Sequence, residues 1–154
     1  MPLTTVRNKQ ATAYGLLLGY NTDEMNLFLI PTGVLKKIKC PLVLNIAIRK
    51  VHPTPVPLIA LFKKKYPKKN LGEIFSAILT SYQAQVTAIR FANAHTALGG
   101  KTFIYDFAWP SSVKNGIYGS CHGVEMPFVF NNLQSKGERE RDVGSRRRPT
   151  TISR

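Results

Sequence analysis

The chain has 154 residues, 44% of them hydrophobic, and carries a formal net charge of +14. That length suits one ordinary core or part of one, and the composition excludes a disordered chain, a collagen and a disulfide-rich module. Two cysteines, Cys40 and Cys121, give neither a disulfide framework nor a Cys-x-x-Cys metal spacing, so no cofactor or metal is implied. No stretch is apolar for long enough to span a bilayer, and Asp23 and Glu24 follow the apolar residues around Leu16 to Leu18 without a small-residue cleavage site. The default expectation is therefore a cytoplasmic chain without a membrane span.

The charge is clustered. Lys36, Lys37 and Lys39 form one group, Lys63, Lys64, Lys65, Lys68 and Lys69 a second, and the residues from Lys136 onward hold seven basic against three acidic side chains. Such runs between apolar segments predict solvated faces and loops. No helix-turn-helix, zinc-finger spacing or RNA-binding aromatic motif accompanies them, so no specific nucleic-acid site is expected.

In chain order, Tyr14 to Tyr20 is a continuous apolar run with glycine near both ends, which predicts a strand buried on both faces of a parallel sheet. Asn21, Thr22 or Asp23 could then cap a short helix beginning near Glu24 and ended by Pro31 and Gly33. Across residues 34–70, Pro41, Pro53, Pro55, Pro57 and Pro67 break the pattern into loop and short helix. Asn70 with Glu73 three residues later resembles a capping box. From there Ile74, Ile78, Tyr82, Val86, Ile89 and Asn93 recur at helical spacing, widened by Phe75, Leu79 and Ala92, so one long or two abutting helices should run to Gly99–Gly100. Lys101 to Trp109 is a second strand rich in β-formers, closed by Pro110. A polar, glycine-bearing loop and a short apolar helical piece around Met126 to Asn132 follow. Strand, helices, strand is a βαβ crossover, which predicts an α/β fold with a parallel sheet. Residues 134–154 have no periodicity and few apolar side chains, and are expected to be a disordered basic tail.

Two segments carry chemistry. "LLLGYNTDEMNLFL" (residues 16–29) resembles the segment of type-B carboxylesterases in which a strand ends in glycine, a small polar turn and an Asp-Glu pair. "YGSCHGVEMPFVFNN" (residues 118–132) resembles the segment around that family's histidine, with Gly-x-x-His-Gly, then Glu, Pro and Phe-x-Phe. "AHTALGGKTFIYDFAWPSS" between them is similar to the family's helix and last long strand. The resemblance covers residues 1–133 and implies the C-terminal part of an α/β-hydrolase domain, with Glu24 as the triad acid, His122 as the triad histidine, and a carboxylic ester as substrate of the complete enzyme.

Elementary chemistry agrees with those roles. Ester hydrolysis through a serine needs an imidazole that accepts the hydroxyl proton and returns it to the leaving group, and a carboxylate that orients the imidazole. Both should stand after sheet strands, at one sheet edge. The α/β-hydrolase order is serine, acid, histidine, which would put the serine before Met1. No serine of this chain has glycine two positions away on both sides, and no oxyanion-hole loop is seen. Gly119-Ser120-Cys121-His122-Gly123 is formally Gly-x-Cys-x-Gly, but a polar loop separates it from the preceding strand, so Cys121 reads as a packing residue and not a nucleophile.

Simpler roles stand beside these. A glutamate after a strand is commonly a helix-start charge; Glu125 reads most simply as a solvated one, with a hydrogen bond near the site as its other reading; His52 and His95 read as surface histidines. Phe107, Trp109 and Phe128 read as core or sheet-face side chains. The sequence also departs from the family: "SKGERERDVGSRRRPTTISR" stands where a Trp-bearing helix and an Arg-Thr-Gly-Asp-Pro-like stretch are usual, an acidic residue is absent near Ser81, and "QAQV" replaces a more basic run. The expectation is thus a fragment of a larger reading frame, inactive alone, able to pair with a separately encoded N-terminal half. The alternatives are a small basic binding protein for nucleic acid or acidic partners, and a folded non-catalytic hydrolase relative.

Overall fold

The computed structural model describes residues 12–132, so the basic tail expected over 134–154 lies outside the described residues. Strands β1 (Leu16–Asn21) and β2 (Thr102–Phe107) form a two-stranded parallel sheet, pairing Leu16 with Thr102 through Asn21 with Phe107. The ladder extends past both ends, from the Leu16 N–H to the Lys101 carbonyl (2.9 Å) and from the Thr22 N–H to the Phe107 carbonyl (3.0 Å). A parallel pair cannot be joined by a tight turn, and everything between the strands forms one helical crossover.

That crossover contains α1 (Asn26–Leu29), α2 (Val34–Lys37), α3 (Pro41–Arg49), α4 (Pro55–Lys65), α5 (Leu71–Thr80), a π-helical turn at Ser81–Gln85, and α6 (Val86–Ala97). Residues 34–70 are thus more helical than their proline content predicts. Pro41 and Pro55 each occupy a first-turn position, where the missing N–H costs nothing and the fixed φ suits the helix. These prolines start helices and do not interrupt them.

The capping box at α5 forms as expected. The Asn70 side chain accepts from the Glu73 N–H (3.0 Å), and the Glu73 carboxylate accepts from the Asn70 N–H (2.7 Å). Downstream, the apolar stripe is interrupted. Ile74 and Ile78 are 0% and 2% exposed, whereas Tyr82 and Ile89 are 52% and 42% exposed. The wide turn at Ser81–Gln85 adds a residue to one turn and rotates the following face, so that Ala92 and His95 point inward instead.

The core gathers Ile38, Leu44, Ile48, Phe62, Ile74 and Ile78 from the first turns of the crossover through α5. Each fully buried aliphatic side chain contributes about 1.5–3 kcal/mol. Gly72 allows α2 to lie against α5, because a Cβ there would strike the Leu35 carbonyl. His95 belongs to the interior, contrary to the surface position expected for it. It is 1% exposed, its Nδ1 lies 2.7 Å from Thr102 Oγ1, and its ring fills the space a Cβ at Gly100 would need. It therefore ties the end of α6 to the start of β2. Phe107 and Trp109 pack on Phe128 of α7 (Met126–Val129), at ring separations of 5.4 and 6.0 Å, in the sheet-face role expected for them.

Candidate active site

Two loops meet at the ends of the two strands. One leaves β1 at its last residue, Asn21, and carries Thr22, Asp23 and Glu24; the other follows β2 and carries Gly119 to Glu125. Parallel strands with matched register end at the same sheet edge, so the fold delivers both loops to one place.

His122 Nδ1 stands 2.6 Å from Glu24 Oε2, although 98 residues separate them in the chain. An ionised carboxylate only accepts, so Nδ1 is the donor in this contact, and in the neutral imidazole that leaves the lone pair on Nε2. The other Glu24 oxygen, Oε1, accepts from the Asn21 N–H at 2.9 Å. Both oxygens of the acid are therefore held, one by backbone and one by imidazole. The Glu24 side chain is 14% exposed and the His122 side chain 60% exposed, so a shielded carboxylate backs an accessible ring. The Phe28 ring lies 5.4 Å from the His122 ring, tilted by 42°.

Behind this pair, Asn21 and Asp23 bind the two loops together. Asn21 is 1% exposed, and its Nδ2 donates to the Cys121 carbonyl (3.0 Å) and to Glu125 Oε2 (2.5 Å). The Asn21 Oδ1 is buried without a hydrogen-bond partner, the one such side-chain atom among the described residues. Asp23 forms a reciprocal clasp with Ser120: the Asp23 N–H donates to the Ser120 carbonyl (3.0 Å), and the Ser120 N–H donates to Asp23 Oδ2 (3.2 Å). Gly119 has a left-handed φ of +59°, and a Cβ there would collide with the Asp23 carboxylate. Ser120 Oγ donates to the Phe107 carbonyl at 2.6 Å, closing the histidine loop onto the strand it leaves.

Helix α5 supports the acid loop from below. Thr80 Oγ1 accepts from the Met25 N–H (3.2 Å), and Ser76 Oγ donates to Asn26 Oδ1 (2.6 Å). The Asn26 Nδ2 in turn donates to the Tyr118 carbonyl at 3.1 Å. Met25 stands at the N-cap of α1, and the helix has no side-chain cap of the kind expected from Asn21, Thr22 or Asp23. Asn21 and Asp23 are spent across the gap on the histidine loop instead.

The sequence-derived site residues Glu24 and His122 are thus brought into hydrogen-bond contact. Asn21, Asp23 and Ser120 are not marked by the sequence as parts of this assembly. Glu125 stands at the start of α7 and takes the second of its two readings, a hydrogen bond near the site, here to the buried Asn21 amide. The only available signal was the "NTDE" turn itself, whose short polar side chains suit caps and loop braces equally. Cys121 is buried on a loop and not on a strand-to-helix elbow, consistent with a packing role.

Among the described residues no group of His, Cys, Asp or Glu is arranged to hold a metal ion, and no helix is long and apolar enough to cross a membrane. No protein-family model matches the chain. Solved structures do. The crystal structure of the Geobacillus stearothermophilus carboxylesterase EST55 at pH 6.2 superposes with a TM-score of 0.77 and 28% identity, over 94% of this chain and 29% of that one. The same enzyme's structure at pH 6.8 gives a TM-score of 0.68 and 25% identity, over 90% of this chain and 27% of that one. The chain spans less than a third of the length of those structures, and its fold matches part of an α/β-hydrolase carboxylesterase.

Proposed function

We propose that this chain supplies the acid and the histidine of a serine carboxylesterase site, and that it works on carboxylic esters only when another polypeptide segment contributes the serine. The observation that carries this reading is the 2.6 Å contact between His122 Nδ1 and Glu24 Oε2. With that nitrogen occupied, Nε2 is the atom that would take the hydroxyl proton of a serine as it attacks the ester carbonyl. The imidazolium so formed is stabilised by Glu24 and returns its proton to the departing alcohol. The serine attached to the acyl group is then freed by water, with Nε2 again accepting and returning the proton.

The likeness in fold to EST55 supports the ester class. So does the openness of the sheet. Each strand of the pair has an outer edge without a neighbour among the described residues, and Leu17, Phe103 and Ile104 are 67%, 65% and 43% exposed. Apolar strand edges and faces of this kind are usually covered by further strands and helices. The segment proposed to cover them carries a Gly-x-Ser-x-Gly turn, which this sequence does not contain.

The test is hydrolysis of a short activated ester by the purified chain, alone and co-expressed with an N-terminal carboxylesterase portion bearing that turn. Activity is expected from the pair only, and His122→Ala should reduce it by on the order of 10³-fold or more. Joint activity that survives both His122→Ala and Glu24→Ala would overturn the proposal, as would a stable folded complex with no turnover.

A further inference from the structure

Away from the acid and histidine, the surface holds an open hollow of about 1180 Å³ between the acid loop, α2, the end of α4 and the start of α5. Its floor is apolar, formed by Ile30, Leu35, Ile38 and Leu71, and Ile117 of the histidine loop closes one side. Its rim is cationic: Lys36 and Lys39 come from one side, and Lys63 and Lys69 from the other, beside Tyr66. We infer that this hollow is a binding site for an amphiphilic organic anion, with an apolar chain on the floor and a carboxylate or phosphate head among the lysines.

Charge accounting within the hollow favours an added anion. Its two acidic side chains are already engaged, Asp23 with Lys69 (3.4 Å) and the Ser120 N–H (3.2 Å), and Glu73 with the Asn70 N–H (2.7 Å). Lys36, Lys39 and Lys63 have no acidic partner among the described residues. Four lysines against two carboxylates leave the lining net positive by two, which concentrates positive potential on a concave, partly apolar wall, and the aliphatic stems of the lysines extend the apolar lining. The hollow is open and somewhat larger than a typical small-molecule pocket, so a ligand would fill part of it; what it shares with such sites is an apolar lining with a few placed polar groups.

The same features disfavour a nucleic acid. The lysines surround one hollow and do not track a strand. Tyr66 is the single aromatic side chain in the lining, and Lys65 and Lys69 already sit over its ring at 5.1 and 5.5 Å, so no platform is left for base stacking. Inorganic phosphate would meet the rim alone and leave the floor unused.

The experiment is calorimetric titration of the full chain with decanoate below its micelle concentration, and separately with inorganic phosphate. Decanoate should bind saturably at one site, and phosphate at least about tenfold more weakly, since the chain on the floor supplies the difference. Replacing Lys36, Lys39 and Lys63 together by Gln should weaken decanoate binding by about tenfold or more. The control Lys64→Gln, Arg90→Gln and Lys101→Gln removes the same charge from outside the hollow, and should change binding by less than about twofold. Ile117→Asp keeps every lysine and places a carboxylate at the hollow's edge; it too should weaken binding. Equal loss in the two triple variants would reduce the effect to net charge and overturn the assignment. Phosphate binding as tightly as decanoate would overturn it equally.

Discussion

The helical core and the strand-end site are stabilised in opposite ways. Leu44, Ile48 and Ile74 are fully buried by neighbours within the described residues, and no polar contact is needed to hold them. The two loops after the strands are joined almost entirely by hydrogen bonds: Asn21 to Cys121 and Glu125, Asp23 to Ser120, and Glu24 to His122. Between these regions the sheet shows apolar side chains to solvent on the strands that carry the site. The contrast teaches that α2 to α5 are held by burial, whereas among the described residues the sheet lacks the apolar cover that would make it equally robust. Substitutions should therefore separate the two regions cleanly.

The largest effect belongs to the core. Ile74→Ala removes a side chain with 0% exposure and leaves a cavity between α3, α4 and α5, at a cost of about 2–5 kcal/mol. Urea unfolding followed by circular dichroism should show a large drop in midpoint. The parallel change on the sheet, Leu17→Ser, should change the unfolding free energy by less than about 0.5 kcal/mol while improving solubility. Equal losses from both would erase the contrast and mean that Leu17 is covered in solution, by a partner or a second copy.

Next is the brace behind the acid. Asn21→Leu would leave Glu125 and the Cys121 carbonyl without the amide donor they share, at a cost of about 1–3 kcal/mol. Its effect should be local as well as global. The Glu24–His122 contact depends on the loops that Asn21 joins, so the His122 ring resonances should broaden or move in an NMR spectrum. Gly119→Ala tests the same brace from the other loop. It sets a Cβ against the Asp23 carboxylate and forces a left-handed φ on alanine, at about 1 kcal/mol or more. If neither variant disturbs His122, the site is held by something other than this network.

The two regions also differ in how far the sequence foretells them. The capping box at Asn70 and Glu73, the positions of the two strands and the glycine stop of the long helix are local patterns visible in one sequence. Strand β1, however, is not buried on both faces as its apolar run predicts, since among the described residues β2 is its one neighbour in the sheet and Leu17 faces solvent. Prolines misled because the same residue that ends one helix begins another, and Pro41 and Pro55 do the latter. The π-helical turn was hidden since it alters the helical phase without any glycine or proline to mark it. His95 was misplaced because its burial depends on Gly100 and Thr102 folding back over it. At the site, Glu24 and His122 were legible only through a resemblance to a family pattern. Asn21, Asp23 and Glu125 serve contacts across about a hundred residues, which no window along the chain can reveal.

The smallest expected effect lies on the sheet itself, at Asp106. This residue pairs across the strands with Tyr20, and partial burial followed by the nearby Asp23 carboxylate raises its pKa, while Lys65 pulls it back down. Tyr20 is raised as well, first by burial and then by Asp106. An acid whose pKa is higher in the folded chain holds its proton more tightly there than when unfolded. Its contribution is fully present below the unfolded value of 3.8 and is lost as pH rises through the raised folded value. Asp106 is exposed, so solvent screens most of this and the change should be slight. Urea midpoints measured between about pH 3 and about pH 6 should fall less steeply, or rise more, for Asp106→Asn than for the parent chain. Covering the sheet would deepen the burial of Asp106 and enlarge that difference. The same titration repeated with a bound N-terminal portion therefore reads out whether the exposed strands are the surface it occupies: an unchanged difference would place the partner elsewhere.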